Sequence, residues 1–108
     1  MLFTVAVFLS TDSHNNIVDV MIDVRVPEVI CQFHNSVVSA SCTIEYGVSS
    51  TDLNLTDTAS STGTLIMNVT IPLSVSLQRA TLYYYVVSTM GVRMQGTFRS
   101  SMYHQCAL

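Results

Sequence analysis

Strict alternation of apolar and polar residues is the feature that most limits how this chain can fold. In the segment 17–26 every even-numbered position is apolar, whereas the odd-numbered positions include Asp19, Asp23 and Arg25. A helix would distribute these charges around its axis, but a β-strand places them on one face because successive side chains point to opposite sides. The segment therefore predicts a half-buried strand that stops at Pro27, which cannot donate a hydrogen bond to a neighbouring strand.

The same period recurs later in the chain, and no segment has the pattern of an amphipathic helix. Further strands are expected at 29–33, 38–46, 65–71, 81–89 and 92–99, with a weak edge strand near 53–55. Segment 81–89 is uncharged and rich in aromatic and β-branched residues, so we expect it to be a central strand that is protected from aggregation. About seven strands with one apolar face each need a second sheet to cover that face. The chain therefore predicts an all-β, seven-stranded antiparallel β-sandwich in one domain.

The first residues are open to more than one interpretation. Segment 2–9 (LFTVAVFL) is apolar and a polar stretch follows it, which is typical of the hydrophobic region and exit of a secretory signal peptide. No positive charge precedes this segment, and it is short for a signal peptide. The alternatives are therefore a first β-strand or a sequence that is truncated at its start. We expect a signal peptide at 1–13, a sandwich domain at 14–100 and a tail without periodicity at 101–108. A signal peptide would make the protein extracellular or place it on the cell surface.

Composition and charge exclude several classes of protein. Apolar residues make up 49% of the 108 positions and charged residues 10%, which argues against disorder. The four basic residues are arginines at scattered positions, whereas nucleic acids and anionic membrane surfaces require clustered cations. No apolar run approaches the roughly 20 residues that span a bilayer. We therefore expect no nucleic-acid partner and no membrane span in this chain.

Two stretches resemble the fibronectin type III family of β-sandwiches and its immunoglobulin-like relatives. Residues 77–83 (LQRATLY) are similar to the family's Leu-x-Pro-x-Thr-x-Tyr approach to strand F, with Arg79 in place of the usual Pro. Residues 42–47 (CTIEYG), with the polar segment 49–58 after them, are similar to its strand C and C′ pattern. The resemblance implies that Tyr83 forms a tyrosine corner, in which the hydroxyl bonds back to nearby backbone.

The resemblance covers about residues 17–99 and bears on the fold more than on function. The Trp that is common on strand B in this family is missing, and Cys31 or Phe33 would occupy that region. Such modules serve adhesion, receptors and enzyme appendages alike, so the family does not identify an activity.

The cysteines predict one disulfide. Cys31 and Cys42 lie on the inward faces of consecutive predicted strands, and a turn near 36–37 would bring them within disulfide reach. Two buried free thiols are the alternative, because a disulfide requires an oxidising compartment. Cys106 in the tail would then be unpaired and available for a bond to another chain. The spacings between the cysteines lack the short pairs of a structural zinc site.

Two sequons predict glycosylation. Asn54 begins Asn-Leu-Thr in a polar loop, and Asn68 begins Asn-Val-Thr on the outward face of a predicted strand. Both side chains are expected to be accessible to a glycan.

No combination of residues predicts catalysis. The histidines at positions 14, 34 and 104 are far apart, and no Gly-x-Ser-x-Gly motif occurs. Asp52 and Asp57 flank Asn54 and could ligate calcium, but their spacing matches no known loop, so solvated charges are favoured. We expect no enzyme activity, no metal site and no cofactor.

The outward faces of the last two predicted strands offer a candidate binding surface. Tyr84, Arg93 and Arg99 could form it, since Tyr and Arg are enriched at interface hot spots, although ordinary cross-strand packing is the alternative. The sequence thus predicts a non-catalytic extracellular binding or adhesion module, secreted or part of a receptor ectodomain, with an unknown protein partner. The alternatives are an accessory domain of a larger enzyme such as a metallophosphatase, and an intracellular sandwich with reduced thiols.

Overall fold

The computed structural model describes residues 4–11, 17–36, 39–62, 65–74 and 76–100, in which the regular secondary structure consists of β-strands joined by turns and loops. The strands are β1 (Thr4–Thr11), β2 (Ile17–Arg25), β3 (Glu28–Ser36), β4 (Ala40–Gly47), β5 (Leu55–Ser61), β6 (Leu65–Pro72), β7 (Leu82–Thr89) and β8 (Val92–Arg99). The expected all-β class is confirmed, with eight strands instead of about seven. Across these described ranges no helix has the length and apolar character to cross a membrane.

The strands form two four-stranded antiparallel sheets that enclose one core. The first sheet has the order β1-β2-β3-β6, and the second has the order β5-β4-β7-β8. Residues of both sheets contribute to a single buried cluster, so the arrangement is sandwich-like. Strand β7 lies between β4 and β8, which confirms the predicted central position of the segment TLYYYVVST.

Strand β1 is the strand that the seven-strand expectation omitted. It pairs antiparallel with β2 and places Ala6 and Phe8 against the core. Its other face is also apolar, and Val7 and Leu9 are 67% and 71% exposed there. Because both faces are apolar, the segment reads as a hydrophobic run and lacks the alternation by which the other strands are recognised. Residues Thr4–Thr11 thus form a strand, which was the alternative to a signal peptide. Cleavage of residues 1–13 stays a prediction.

The two sheets bury different kinds of side chain. The first sheet contributes mainly aliphatic residues together with Phe33, and the second contributes three tyrosines among smaller and aliphatic residues. The buried residues of the first sheet are Val18, Val20, Ile22, Val24, Val29, Cys31, Phe33, Met67, Val69 and Ile71. Those of the second sheet are Ala40, Cys42, Ile44, Tyr46, Tyr83, Tyr85, Val87 and Met94. Each fully buried aliphatic side chain stabilises the fold by roughly 1.5–3 kcal/mol.

Two tight connections depend on backbone geometry. Met90 and Gly91 join β7 to β8 with φ values of 47° and 75°, the left-handed conformation that a type I′ hairpin turn requires at both positions. Gly47 ends β4 where the following loop folds back, and a Cβ at this position would lie 2.6 Å from the backbone oxygen of Asp52. Glycine is therefore required there by close approach of the backbone.

The edge strand after this loop begins later than the sequence indicates. Strand β5 spans Leu55–Ser61, whereas the apolar residues suggested a strand near 53–55. Its register with β4 runs from Tyr46 opposite Leu55 to Ala40 opposite Ser61. Backbone pairing to β4 extends the strand through Ser and Thr residues whose side chains carry no apolar signal.

Asp23 differs from its expected environment. It lies on the outer face of β2, as the alternation predicts, but it is only 5% exposed. Val5 of β1 and Ile30 of β3 stand opposite it on either side. Its Oδ2 forms an ion pair with Arg25 at 2.8 Å, while its buried Oδ1 has no hydrogen-bond partner among the described residues. The carboxylate is therefore partly desolvated by the additional strand β1.

Candidate binding surfaces

A buried disulfide fixes the scaffold. Cys31 of β3 and Cys42 of β4 are both fully buried and bonded to each other, which confirms the predicted pairing. Because β3 belongs to the first sheet and β4 to the second, the bond crosses the sandwich and links the two sheets covalently.

Tyr83 links β7 to the loop that precedes it. Its hydroxyl accepts a hydrogen bond of 2.9 Å from the backbone N–H of Gln78, five residues upstream. The ring is 3% exposed and stacks on Phe98 with a centroid distance of 5.3 Å. A buried tyrosine whose hydroxyl bonds to upstream backbone is the contact that defines a tyrosine corner.

Ser100 completes the attachment of this loop, and no sequence pattern singles it out. Its side chain is buried, and its Oγ donates to the backbone oxygen of Gln78 and accepts from the N–H of Thr81 at 2.9 Å. Its own N–H donates to the oxygen of Thr81 at 2.9 Å. The end of β8 thereby holds the loop 77–81 in place. Both partners lie about twenty residues away in the chain, so local sequence carries no signal of the contact.

Asp57 connects the sheets at the side where β5 and β6 form the edges. It accepts hydrogen bonds from the Tyr46 hydroxyl at 2.7 Å and from the Ser74 hydroxyl at 2.5 Å. The backbone N–H of Ser74 also donates to it, at 3.1 Å. Ser74 follows β6 of the first sheet, whereas Asp57 and Tyr46 belong to the second. One carboxylate thus links the two sheets.

The environment of Asp57 favours its charged form. Burial raises its pKa, but the hydrogen bonds from the Ser74 hydroxyl, the Tyr46 hydroxyl and the Ser74 backbone outweigh this and lower the pKa below 3.8. Asp57 is therefore a charged side chain that is partly exposed and hydrogen-bonded, while Asp52 is exposed. No group of three potential metal-ligating side chains occurs within the described ranges.

The outer face of the second sheet is polar, and we call it the hydroxyl face. Its side chains are those of Ser41, Thr43, Glu45, Thr56, Thr58, Ser60, Tyr84, Val86, Ser88, Arg93, Gln95, Thr97 and Arg99. Strand pairing brings their hydroxyls close together, and Thr43 and Thr58 share a hydrogen bond. This face can engage a partner mainly through hydrogen bonds.

The three residues of the predicted binding face all lie on the hydroxyl face but do not form one cluster. Tyr84 stands opposite Thr97, so Arg99 is its diagonal neighbour on β8. Arg99 also donates to the backbone oxygen of Ala80 at 3.2 Å. Arg93 stands opposite Ser88, four positions along β7 and thus roughly 13 Å from Tyr84. The structure places Tyr84 beside Arg99 and separates both from Arg93.

Arg93 instead borders a shallow depression of about 480 Å3 near the β7–β8 turn. Thr43, Ser88 and Glu45 also line this depression, and Glu45 lies on the side away from the turn. Glu45 and Arg93 form no ion pair with each other among the described residues, so two opposite charges remain available at this depression.

The outer face of the first sheet exposes more aliphatic side chains, alongside polar residues such as Asp19, His34 and Asn68, and we call it the apolar face. Its exposed aliphatic members are Val5, Val7, Leu9, Ile17 and Ile66, and Met21 and Ile30 are partly buried. In the register of the sheet, Val5 of β1 stands opposite Asp23 of β2, and Val7 stands opposite Met21. In the same register, Asp19 and His34 lie between Leu9 of β1 and Ile66 of β6, so the exposed aliphatic side chains form two groups on this face. Exposed apolar groups are candidate interaction sites.

Both sequon asparagines have exposed side chains. Asn54 lies in the loop before β5, and Asn68 lies on β6, where its Oδ1 accepts a 3.0 Å hydrogen bond from Gln32. Their glycosylation stays a prediction. Cys106 and the tail 101–108 lie outside the described residues, as do the histidines at positions 14 and 104.

Comparison with known proteins gives no relative for this chain. No family model, no curated protein and no solved structure matches it. The likeness to fibronectin type III domains therefore depends on the residues quoted above and stays a hypothesis.

Proposed function

We propose that this chain is a non-catalytic extracellular binding or adhesion module with a fibronectin type III-like sandwich. The observation that carries the proposal is the apolar face, on which Ile17 and Ile66, both outside the predicted signal peptide, are 67% and 59% exposed. Val7 and Leu9 add to this surface in a chain that keeps β1. Transfer of exposed hydrophobic side chains from water to contact with another apolar surface lowers the free energy.

The strand arrangement supports the fibronectin type III-like part of the proposal. Without β1, seven strands remain, three in one sheet and four in the other. The second sheet contains β4 and β7, the two strands that carry the family-like stretches, and they are neighbours. The hydroxyl of Tyr83 makes its backbone contact at the start of β7.

The disulfide supports the extracellular part. Disulfides persist in oxidising compartments and are rare in the cytosol. The Cys31–Cys42 bond lies in the core and joins the two sheets, so the fold includes it as a structural element. The sequons at Asn54 and Asn68 are both exposed and would be accessible in a secretory pathway.

The compartment is tested by expressing the chain from Met1 in a eukaryotic secretory cell. Intact mass is then measured with and without glycosidase and thiol alkylation. We expect a secreted chain that carries glycan and has one alkylatable cysteine, Cys106. A chain that stays in the cell, without glycan and with three free thiols, would contradict the extracellular proposal.

Binding is tested with labelled protein on cells that display extracellular proteins individually. We expect saturable binding to a small number of them, and Ile66→Lys on the apolar face should weaken it at least tenfold. Tyr84→Ala with Arg99→Ala on the hydroxyl face is the matched comparison. If only the double variant weakens binding, the function stands and the hydroxyl face carries it. Absence of saturable binding would argue against a binding module.

A further inference from the structure

The outer edge of β1 differs from the other three strand edges of the two sheets. Strand β8 carries Arg93 and Arg99, β5 carries Asp57, and β6 ends at Pro72. These are the features by which natural proteins prevent edge-to-edge pairing. Strand β1 (TVAVFLST) contains no charge and no proline, so its edge is the least protected.

Side chains along this edge are apolar on both faces. Val5, Val7 and Leu9 are 46%, 67% and 71% exposed on the outer side, while Ala6 and Phe8 pack against the core on the inner side. An edge strand also leaves half of its backbone N–H and C=O groups directed away from the sheet. Among the described strands none pairs with this edge, so it combines backbone hydrogen-bonding groups that no strand there uses with exposed aliphatic surface.

We propose that a second copy of this chain covers the edge, with β1 of each copy paired antiparallel to β1 of the other about a two-fold axis at Val7. A strand that pairs with itself in this way forms an isologous interface, in which the same surface serves both partners. A charged side chain near the two-fold axis would oppose this arrangement, because it would lie close to the same charge of the other copy. Strand β1 carries no charge that could do so.

The order of side chains along β1 selects the register at Val7. In that register Val7 stands opposite its counterpart, Val5 stands opposite Leu9, and Ala6 stands opposite Phe8. Aliphatic residues thus meet on the outer face, and a small residue meets a large one on the inner face. A register centred at Phe8 would place Val5 opposite Thr11 and Ala6 opposite Ser10, which mixes apolar and polar residues.

The area involved predicts a weak dimer. The exposed parts of Val5, Val7 and Leu9 amount to roughly 200 Å2 of aliphatic surface in each copy. A standard interface buries about 800 Å2 per partner, so side-chain burial alone is insufficient for tight association. Backbone hydrogen bonds between the two strands supply the rest, as they do when a peptide adds to a sheet edge. We expect association that depends on concentration in the micromolar range.

Strand β1 has an attachment that holds it in position for such pairing. The Ser10 hydroxyl donates to the backbone oxygen of Met90 at 2.5 Å, which joins the end of β1 to the β7–β8 turn of the second sheet. The proposal requires that β1 remains in the mature chain. It assigns Val5, Val7 and Leu9 to a second copy of the chain, which leaves Ile17 and Ile66 of the apolar face for the partner of the proposed function.

Cysteine cross-linking tests the register directly, in the full chain with Cys106→Ser. Val7→Cys should form a disulfide-linked dimer under mild oxidation, because opposite Cβ atoms lie about 4.5–5.5 Å apart. Leu9→Cys should not cross-link with itself, since its counterpart lies roughly 13 Å away. A mixture of Val5→Cys and Leu9→Cys chains should form the mixed dimer. Equal cross-linking by Leu9→Cys alone would overturn the proposed register.

Sedimentation equilibrium tests the association itself. We expect the mass of the full chain to rise towards twice the monomer value with concentration, and Val7→Lys should raise the dissociation constant at least tenfold. Val48→Lys is the control, because Val48 is 58% exposed in the loop after β4 and should leave the constant unchanged.

Outcomes of this experiment separate the dimer from the proposed function. A monomer at all concentrations with no Val7→Cys cross-link would overturn the dimer, and so would a mature chain whose intact mass lacks β1. If Val7→Lys fails to fold by circular dichroism, the cross-linking result decides. Saturable binding to another extracellular protein by a monomeric chain would overturn the dimer and leave the proposed function in place.

Discussion

The two sheets of this molecule are built with opposite chemistry. The first buries aliphatic side chains and exposes more of them on its outer face, whereas the second buries aromatic rings and exposes hydroxyls. Hydroxyls of Tyr46 and Tyr83 in the second sheet reach Asp57 and the backbone of Gln78. Packing in the first sheet is non-directional, while the second is also held by hydrogen bonds of defined geometry.

Because of this difference, we expect the two sheets to respond differently to substitution. Loss of volume should affect the first sheet most, because its stability comes from buried apolar area. Loss of a single hydroxyl should affect the second sheet, because a buried polar partner would be left without a hydrogen bond. Four pairs of variants distinguish these two kinds of stabilisation.

Removal of buried volume from the first sheet should have the largest effect. Ile22 is fully buried in the core, so Ile22→Ala should lower the free energy of unfolding by about 2–5 kcal/mol. Ile17→Ala, on the exposed face of the same strand, is the control and should change it by less than about 0.5 kcal/mol. Urea unfolding followed by circular dichroism measures both. Similar values for the two variants would contradict the assigned faces of β2.

Removal of the disulfide tests the covalent link between the sheets. Cys31→Ala with Cys42→Ala should lower the free energy of unfolding by about 2–3 kcal/mol, because the unfolded chain gains conformational freedom. Thermal unfolding of this variant is compared with Cys106→Ser, which should match the parent chain. Equal stability of the double variant and the parent would show that the bond is not a stabilising element.

Removal of one hydroxyl should affect the second sheet. Tyr83→Phe should cost about 0.5–1.5 kcal/mol, since the N–H of Gln78 loses the partly buried hydroxyl that accepts its hydrogen bond. Tyr84→Phe removes the same atom from the hydroxyl face and should be close to neutral. Chemical unfolding of the pair gives the comparison, and two equal losses would refute the special role of Tyr83.

Acidification should weaken the Asp57 link between the sheets by less than about 1 kcal/mol. The pKa of Asp57 is lower in the folded than in the unfolded chain. Its contribution to the free energy of unfolding is therefore present above the unfolded pKa of about 4, and it is lost as pH falls through the lower pKa of the folded chain. Unfolding measured between pH 6 and pH 2.5 should therefore show a smaller acid loss in Asp57→Asn than in the parent. Asp52→Asn, at an exposed position, should keep the parent profile; if it behaves as Asp57→Asn does, the assignment fails.

Much of the fold could be predicted because alternation is a local property. The inward faces of β2, β3, β4 and β8 follow from period two alone, and the buried positions agree with it. The disulfide also followed, since both cysteines lie on apolar faces. Strand β1 was ambiguous because its two apolar faces remove the alternating signal, and β5 was displaced because Ser and Thr side chains carry none.

The candidate surfaces could be predicted only in part. Tyr84, Arg93 and Arg99 were assigned to one outward face, and they lie on the hydroxyl face. Their separation along the strands depends on the register between β7 and β8, which alternation alone does not specify. The apolar face required β1 to be recognised as a strand beside β2.

The sequence by itself determined which side chains of most strands point inward, because a strand turns successive residues to opposite faces whatever its neighbours are. Only the tertiary structure decided which strands are neighbours, and therefore that Asp57 meets Ser74 and that β1 partly desolvates Asp23. These contacts join residues 17 or more positions apart. Their formation depends on sheet order and on the packing of one sheet against the other, which no local pattern encodes.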